Sequence, residues 1–407
     1  MKALSDKIKK KYSQFRKVFT HLQDEPKRLI IEKTKWLNNA DSPVMLMIDD
    51  LTNAWYSRNS SKVWDRGGDW GGGLDKDEST FSFLSKNLLY DFSEVKVTFF
   101  SIVGKMNQFT YHSPFTFAEP LNFNSETKSF FRKLNNNERF EVAYHGYNHG
   151  NPRETIENFV QEWKSFGSVG EACEQIRKGK EIFKNVFGKY PNGGKYGGWQ
   201  YNEFADESID RSNFLWWCRD WMPRDVRNII RDSYYEPQLF GKNLVVALPS
   251  TVHGFYWNKK QIDTLLRKKQ MVSIEEHIAP IRPDGLIQAP NVIEDINELR
   301  RLFNYLRKKN VWYATGTEIA EYFIAFSFTT IYDIKKDSFK IRYTGHVPSP
   351  ILTLILDRRS LGCKSDSESV NILLPDGNEL DNISCLDHKE DSFYVNIPVQ
   401  NGTYRII

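Results

Sequence analysis

Two acids and two histidines stand at points of this chain where a metal site could form. Asp49 and Asp50 directly follow an apolar run, and His145 and His149, four residues apart, follow a second one. Carboxylates and imidazoles at the ends of separate strands are a common way to build a divalent metal site. Three such ligands and an open position for water generate a nucleophile near neutral pH, so the pattern predicts metal-assisted hydrolysis.

Each half of this pattern has a structural alternative. Two adjacent acids after a strand also occur as helix N-caps. This interpretation is weaker for Asp49 and Asp50, because two neighbouring carboxylates repel each other unless a cation or a proton separates their roles. The spacing of His145 and His149 is by itself a weak signal. It gains weight because both pairs end predicted strands.

The elements that would position these residues alternate between strands and helices. We predict strands at 44–50, 95–103, 139–145, 190–196, 214–220, 244–250 and 271–277, with the clearest helices at 153–187 and 293–309. Such alternation indicates a parallel sheet. Seven strands without a glycine-rich dinucleotide fingerprint favour an α/β fold of the irregular (β/α)7-type barrel kind over a doubly wound sheet.

Active-site groups of such barrels come from the C-terminal ends of the strands. The residues that our strand assignment places there are Asp49, Asp50, His145, His149, Lys195, Tyr196, Arg219, Asp220, Trp221, Ser250, His253 and His277. The long loop after the first strand carries Trp64 and Trp70, with a glycine-rich stretch from Gly67 to Gly73 around the second. These two tryptophans are candidates for stacking on a sugar ring, or for anchoring a rigid loop.

Three regions differ in pattern. Residues 1–40 contain a basic segment, 2–22, with one apolar stripe at helical spacing, which would contact an anionic membrane surface or pack on protein. Residues 41–323 form the predicted barrel. Residues 324–407 are predicted as a small all-β immunoglobulin-like sandwich, with uninterrupted strands at 326–334, 338–344, 351–357, 369–374, 392–398 and 402–407.

Composition narrows the functional class. The net charge of +4 over 407 residues, without a concentrated basic stripe bearing aromatic residues, argues against nucleic-acid binding. The first residues lack the apolar core of a signal peptide, and no apolar stretch has the length of a membrane span. We therefore expect a cytoplasmic protein, with peripheral membrane contact through 2–22 as the open question.

The motifs together resemble the polysaccharide deacetylase (NodB-homology) superfamily, or carbohydrate esterase family 4, over roughly residues 43–320. Asp49-Asp50 is similar to its first motif, and His145 with His149 to its second. Asp220-Trp221 and His277 are looser matches to the fourth and fifth. In the third, Lys195 stands where the family has arginine, and the prolines around it are lost.

The resemblance implies the roles of these residues. Asp49 would be the catalytic base, and Asp50, His145 and His149 the ligands of a divalent metal. His277, or alternatively His253, would be the general acid, Asp220 would orient the acid, and a backbone N–H near Tyr196 would stabilise the oxyanion. The expected substrate-binding residues are Lys195, Trp64, Trp70, Trp221 and His253.

The implied reaction is removal of an N- or O-acetyl group from a polysaccharide, a lipid-linked glycan or a sugar precursor, with metal-bound water attacking the carbonyl. Such a step would fit surface-glycan biosynthesis. Zn²⁺ suits the ligand set best, and Co²⁺, Ni²⁺, Fe²⁺ and Mn²⁺ are alternatives. Two other functions stay open. One is a metal-free glycoside hydrolase that uses Asp49 with Asp220, or Glu275 with Glu276. The other is a non-catalytic carbohydrate-binding protein.

Overall fold

The structure is a computed structural model. It describes residues 28–53, 55–58, 64–69, 79–110, 113–151, 160–219, 235–253, 257–278, 288–361, 369–384 and 392–407. The chain divides into two compact units. One comprises Ala40–Glu321, and the other Met1–Asn39 with Tyr322–Ile407. The basic segment 2–22 lies outside the described residues.

The larger unit is built on seven parallel strands. They are β1 (Ser42–Leu51), β2 (Val97–Ser101), β3 (Phe140–Tyr144), β4 (Gly193–Lys195), β5 (Trp216–Arg219), β6 (Val245–Pro249, continuing as Val252–His253) and β7 (Val272–His277). All seven are fully or mostly buried, as expected for parallel strands covered on both faces. Two of them depart most from an apolar composition: β4 is short and glycine-rich, and β7 carries Glu275, Glu276 and His277.

The pairing of these strands closes a ring. Each strand from β1 to β6 pairs in parallel with the next one along the chain. The second part of β6 pairs with β7, and β7 pairs with β1. The structure therefore has a parallel β/α architecture in which seven strand ends meet at one mouth, as the alternation predicted.

Helices flank the ring. In this unit they are Thr80–Leu84 with the π-helical turn Ser85–Leu89, Ser125–Asn135, Glu162–Ser165, Val169–Phe187, Ala205–Arg211, Lys259–Arg267, Ile296–Leu306 and Gly316–Phe328, the last of which contains the boundary between the units. Four begin at residues whose side chains accept a backbone N–H: Ser79, Asn124, Ser168 and Asn258. Of the predicted helix 153–187, residues 153–159 lie outside the described part, Val160–Gln161 form a strand, and the helix is interrupted between Ser165 and Val169.

The larger unit also contains several short additional strands. Trp55–Arg58 pairs with Trp64–Asp69, Met106–Thr110 with Ser113–Ala118, and Gly150–Asn151 with Val160–Gln161, all antiparallel. Gln238–Phe240 adds an antiparallel strand to β6, and Val311–Tyr313 a parallel one to β1. The predicted strands had the right number and order. The strands predicted at 95–103, 190–196 and 214–220 are longer than the observed β2, β4 and β5.

The smaller unit contains two antiparallel sheets. Ile31–Lys33, Ile351–Asp357 and Ser392–Pro398 form one. Thr329–Tyr332, Ser338–Tyr343, Ser369–Leu373, Glu379–Ser384 and Gly402–Ile406 form the other. Every second residue of these two strands is a buried apolar one (Leu352, Leu354 and Leu356; Phe393, Val395 and Ile397), and Thr353 and Tyr394 between them are buried as well.

The prediction for this region differs from the structure in three details. The strand expected at 326–334 begins only at Thr329, because the apolar residues before it continue the helix Gly316–Phe328. A short helix, Arg358–Leu361, also interrupts the strands. Glu379–Ser384 was not predicted. The immunoglobulin-like arrangement stays a prediction.

Candidate metal centre

A bulge at the end of β1 separates the two acids. The pairing of β1 with β2 shifts register between Ile48 and Leu51, and Asp50 has a φ of 63°, in the left-handed region. A bulge turns side chains away from the regular alternation, and aspartate tolerates the left-handed conformation better than most residues. Both carboxylates therefore face the mouth from one strand end, although they are adjacent in the sequence.

The loop that carries both histidines is held by a buried glutamate. One carboxylate, that of Glu162, accepts hydrogen bonds from the backbone N–H groups of Tyr147, Asn148 and His149, at 3.0, 3.0 and 2.9 Å. Burial raises the pKa of Glu162 to about 7, against the opposing effect of these donors. The loop also needs Gly146, whose φ is 108° and whose missing Cβ would meet the Glu162 carboxylate.

A second glycine makes room for the His149 ring. A Cβ on Gly197 would lie 2.9 and 3.0 Å from two ring atoms of His149. One on Gly198, whose φ is 55°, would collide with the amide of Gln161. The segment after β4 thus approaches the histidine loop as bare backbone at Gly197 and Gly198.

Asp50, His145 and His149 converge as the sequence predicted. One ligand atom from each lies within 4.8 Å of the others. The Nε2 atoms of His145 and His149 lie 3.5 and 3.4 Å from Asp50 Oδ1. His145 Nδ1 lies 3.2 Å from the carbonyl oxygen of Lys195, an acceptor that places the proton on Nδ1 in the neutral ring and leaves Nε2 as the free ligand atom.

Electrostatics suit a cation between these three side chains. Burial works to raise the pKa of Asp50, but His149, His145 and His277 outweigh it, so the carboxylate stays ionised. Burial lowers the pKa of His149 to about 4, which keeps its ring neutral. For His145 burial also lowers the pKa, but Asp49 and Asp50 together raise it above its usual range.

Two buried oxygens mark where a further positive group would fit. Among the described residues, Asp49 Oδ1 and Asp50 Oδ1 are buried without a hydrogen-bond partner. An unpaired buried charge is costly, and it is normally neutralised or bound to a metal. One carboxylate and two imidazoles also match the ligand set of hydrolytic zinc sites. The residues present therefore fit a divalent metal.

A second group of ligand-type residues lies beside the first. Asp49, Glu275 and His277 also bring ligand atoms within 4.8 Å of one another. This group contains its own cation, because Lys195 Nζ donates to Asp49 Oδ2 at 2.5 Å and to Glu275 Oε1 at 2.7 Å. All three of these side chains are at least 97% buried.

His277 points one ring nitrogen at this pair. Its Nδ1 lies 2.8 Å from the carbonyl oxygen of Pro290, so the neutral ring carries its proton on Nδ1. Its Nε2 lies 3.9 Å from Asp49 Oδ2. Register explains the placement, since His277 is paired with Asp49 across β7 and β1.

Two candidates occupy other positions than expected. Lys195 was expected to bind substrate, but its side chain is fully buried against Asp49 and Glu275. The Tyr196 side chain is also fully buried, and its hydroxyl donates to Asp206 at 2.8 Å. A chemical role for Tyr196 is therefore restricted to its backbone.

The remaining candidates are only partly described. Asp220, Trp221 and Trp70 lie outside the described residues. For Trp64 and His253 the structure describes the backbone alone, in strands Trp64–Asp69 and Val252–His253. Their predicted roles stay predictions.

Sequence reasoning missed Glu162, Gly197 and the role of Glu275 in holding Lys195. Glu275 had a readable signal, because it stands two residues before His277 on one strand and so faces the same side. Glu162 had no such signal in the sequence, because its function depends on hydrogen bonds from the loop that follows β3.

Comparisons with known proteins give structural similarity alone. No family model matches the sequence, and no curated protein matches it. Solved structures that are similar include one assigned as a polysaccharide deacetylase from Pseudomonas aeruginosa PAO1, with a TM-score of 0.43 and 15% identity, covering 71% of this chain and 93% of that one. Another, assigned likewise, is from Mycobacterium smegmatis, with a TM-score of 0.40, 15% identity and coverage of 71% and 92%.

A third is a 4-alpha-glucanotransferase from Thermococcus litoralis, with a TM-score of 0.40, 13% identity and coverage of 68% of this chain and 40% of that one.

Proposed function

We propose that this protein is a metal-dependent hydrolase that removes N- or O-acetyl groups from a carbohydrate. The observation that carries the proposal is the convergence of Asp50, His145 and His149 beside Asp49, a second carboxylate with one unpaired oxygen. This arrangement combines a three-ligand metal site with a neighbouring base.

Each residue has a role that its contacts support. Asp50, His145 and His149 would hold the metal. When bound, such a metal polarises a carbonyl group and lowers the pKa of a water molecule to about 7. Asp49 would accept the proton of the attacking water on Oδ1, because Lys195 already occupies Oδ2. The backbone N–H of Tyr196, which follows β4 at the mouth, remains our candidate for the oxyanion.

His277 is suited to protonate the leaving group. Its neutral ring keeps a proton on Nδ1 through the Pro290 carbonyl, and Nε2 is then able to take up and release a second proton beside Asp49. Asp49 and His277 approach the mouth from paired strands. The general base and the general acid of the proposed reaction are thereby fixed relative to each other by the barrel itself.

The glycosidase alternative loses one of its carboxylate pairs. Glu275 and Glu276 are consecutive on β7 and therefore point to opposite faces. Glu275 binds Lys195 inside the barrel mouth, whereas both oxygens of Glu276 are buried without a described partner. These two side chains do not flank a common bond. The pair of Asp49 with Asp220 includes a residue outside the described part.

Acetate release tests the proposal. The purified protein would be stripped with a chelator, reloaded with Zn²⁺, and incubated with penta-N-acetylchitopentaose and with acetylated xylo-oligosaccharide. We expect acetate from at least one substrate with the loaded protein, none with the stripped protein, and recovery on reloading. Reducing ends that appear without acetate would instead indicate a glycosidase. Protein that carries metal and yields neither product would contradict the proposal.

We extend this proposal to the natural substrate and to the cellular location of the protein. Among the described residues, none of the helices combines the length and the apolar character needed to cross a membrane. A polysaccharide, a lipid-linked glycan and a sugar precursor all carry the acetyl group that the site would attack. A cytoplasmic step of surface-glycan biosynthesis, with peripheral membrane contact through 2–22, remains our proposal for its setting.

A further inference from the structure

The ammonium group of Lys195 is held on several sides at the centre of the mouth. Asp49 Oδ2 and Glu275 Oε1 accept from it at 2.5 and 2.7 Å. The indole ring of Trp199 lies under it, 3.9 Å from Nζ to the ring centroid, and the Phe100 ring is 5.6 Å away. Lys195 is therefore a fixed part of the site.

Trp199 also holds the second carboxylate. Its indole N–H donates to Glu275 Oε1 at 2.7 Å, the same oxygen that accepts from Lys195. Its position depends on the turn Gly197–Trp199, in which Gly198 and Trp199 have φ values of 55° and 54°. The turn that gives the His149 ring its space thus also places the indole against Lys195.

A lysine needs such support more than an arginine would. The guanidinium group is a planar fork that fixes a carboxylate through two parallel hydrogen bonds, whereas an ammonium group is a point charge on a flexible chain. A single bond from Nζ to Asp49 leaves the carboxylate free to rotate. Its orientation depends on whether Nζ itself is fixed, and Glu275 and Trp199 make the closest contacts with Nζ, besides Asp49, that the described residues provide.

As a consequence, the two carboxylate oxygens of Asp49 have different surroundings. Oδ2 is bound to Lys195, and Oδ1 has no described partner. If Nζ moved, Oδ1 and Oδ2 would exchange roles, and the unpaired oxygen would no longer be directed consistently. The group Glu275–Trp199–Lys195 therefore determines which oxygen of the base faces the reaction.

We propose that Glu275 and Trp199 are positioning residues for the base Asp49, and that they act through Lys195. This inference rests on the proposed function, since it assigns Asp49 as the base. Neither residue is expected to contact the metal or the substrate. Removing either should slow the chemical step and leave substrate binding and metal content unchanged.

The test compares Glu275→Gln and Trp199→Phe with Glu276→Gln in the Zn²⁺-loaded full chain. Glu276 is the matched control, because it is the neighbouring buried glutamate on β7 but does not contact Lys195. We expect Glu275→Gln to lower kcat about 10- to 100-fold, the usual effect of removing a group that orients a reacting side chain. In Glu275→Gln, KM and metal per chain should stay near wild-type values. The control Glu276→Gln should keep an unfolding temperature near that of wild type.

For Trp199→Phe the expected loss is smaller, about fivefold in kcat, because one hydrogen bond is lost and the aromatic face is kept. Crystal structures of wild type and Glu275→Gln give a second readout that is independent of activity. We expect Nζ to leave Asp49 Oδ2, or Asp49 to rotate, only in the variant.

Three outcomes would overturn the inference. A wild-type kcat in Glu275→Gln would mean that Lys195 needs no support. Loss of metal in that variant would make Glu275 a ligand, and a raised KM at unchanged kcat would make it a substrate contact. Failure of the proposed function is a separate result, recognised when metal-loaded wild type releases no acetate while the crystal structures still show the change at Asp49.

Discussion

The barrel mouth contains two neighbouring groups of three ligand-type residues, and they differ in one respect. No lysine or arginine belongs to the group of Asp50, His145 and His149, and Asp50 Oδ1 has no hydrogen-bond partner among the described residues. In the group of Asp49, Glu275 and His277, the ammonium of Lys195 binds both carboxylates. The comparison indicates that only the first group needs a cation from solution.

This difference separates two tasks that adjacent residues would otherwise share. Asp50 faces the histidines and is available as a ligand, whereas Asp49 is balanced by Lys195 and is available as a base. The bulge at the end of β1 makes the separation possible.

Asp49→Asn should remove the base and leave the metal group intact. We expect kcat for acetate release to fall about 10²- to 10⁴-fold, the range for loss of a general base. Metal per chain should not change. Asp263→Asn, at an exposed carboxylate outside the site, is the control. Loss of metal in Asp49→Asn would show that the two groups are one.

Lys195→Met should leave the second group with two uncompensated carboxylates. Removing one partner of a buried ion pair costs about 3–5 kcal/mol, so we expect a loss of that size in the free energy of unfolding. Urea unfolding would measure it, with the exposed Lys178→Met as control. Excess Zn²⁺ should restore part of the stability of Lys195→Met by occupying the vacated position. A variant as stable as wild type would contradict the charge balance described here.

Glu162→Gln should weaken metal binding without touching a ligand. The amide cannot accept from three backbone N–H groups as a carboxylate does, so the loop from Tyr147 to His149 should lose its fixed position. We expect metal affinity to fall about 10- to 100-fold. Chelator competition would measure it. Glu171→Gln is a fair control, because Glu171 also accepts a backbone N–H, that of Gly167, but at an exposed position. An equal loss of metal affinity in Glu171→Gln would refute a specific role for Glu162.

Metal affinity should depend on pH through His145. The pKa of this ring is raised above 6.5, so in the metal-free protein it holds a proton that the metal must displace. Affinity should therefore rise about tenfold per pH unit from pH 5.5 up to that raised pKa and level off above it. His149, with its pKa lowered to about 4, adds no dependence in this window. Chelator competition at several pH values would reveal the slope, and a flat profile between pH 5.5 and 6.5 would contradict it.

The sequence predicted the parts of this account that depend on strand ends. Alternating apolar runs and helices indicated the parallel barrel, and the residues at the C-terminal ends of β1 and β7 and just after β3 were correctly expected to meet. The burial of Lys195 and the role of Glu162 were not predictable in the same way. Both depend on which side chains, although distant in the sequence, are neighbours in the fold. Neither the local hydrophobic periodicity nor the spacing of residues indicates these contacts. The strand predicted at 326–334 failed for a related reason, because a short apolar run fits a helix as well as a strand.

The most direct test of the central claim is the metal content per chain, measured by mass spectrometry after incubation with Zn²⁺ and removal of the excess. We predict one equivalent in wild type, and none in His149→Ala. One equivalent would place a single metal at Asp50, His145 and His149, with Lys195 filling the second group. No metal in wild type, or undiminished metal in His149→Ala, would contradict the assignment of the site. Two equivalents in wild type would contradict the distinction between the two groups.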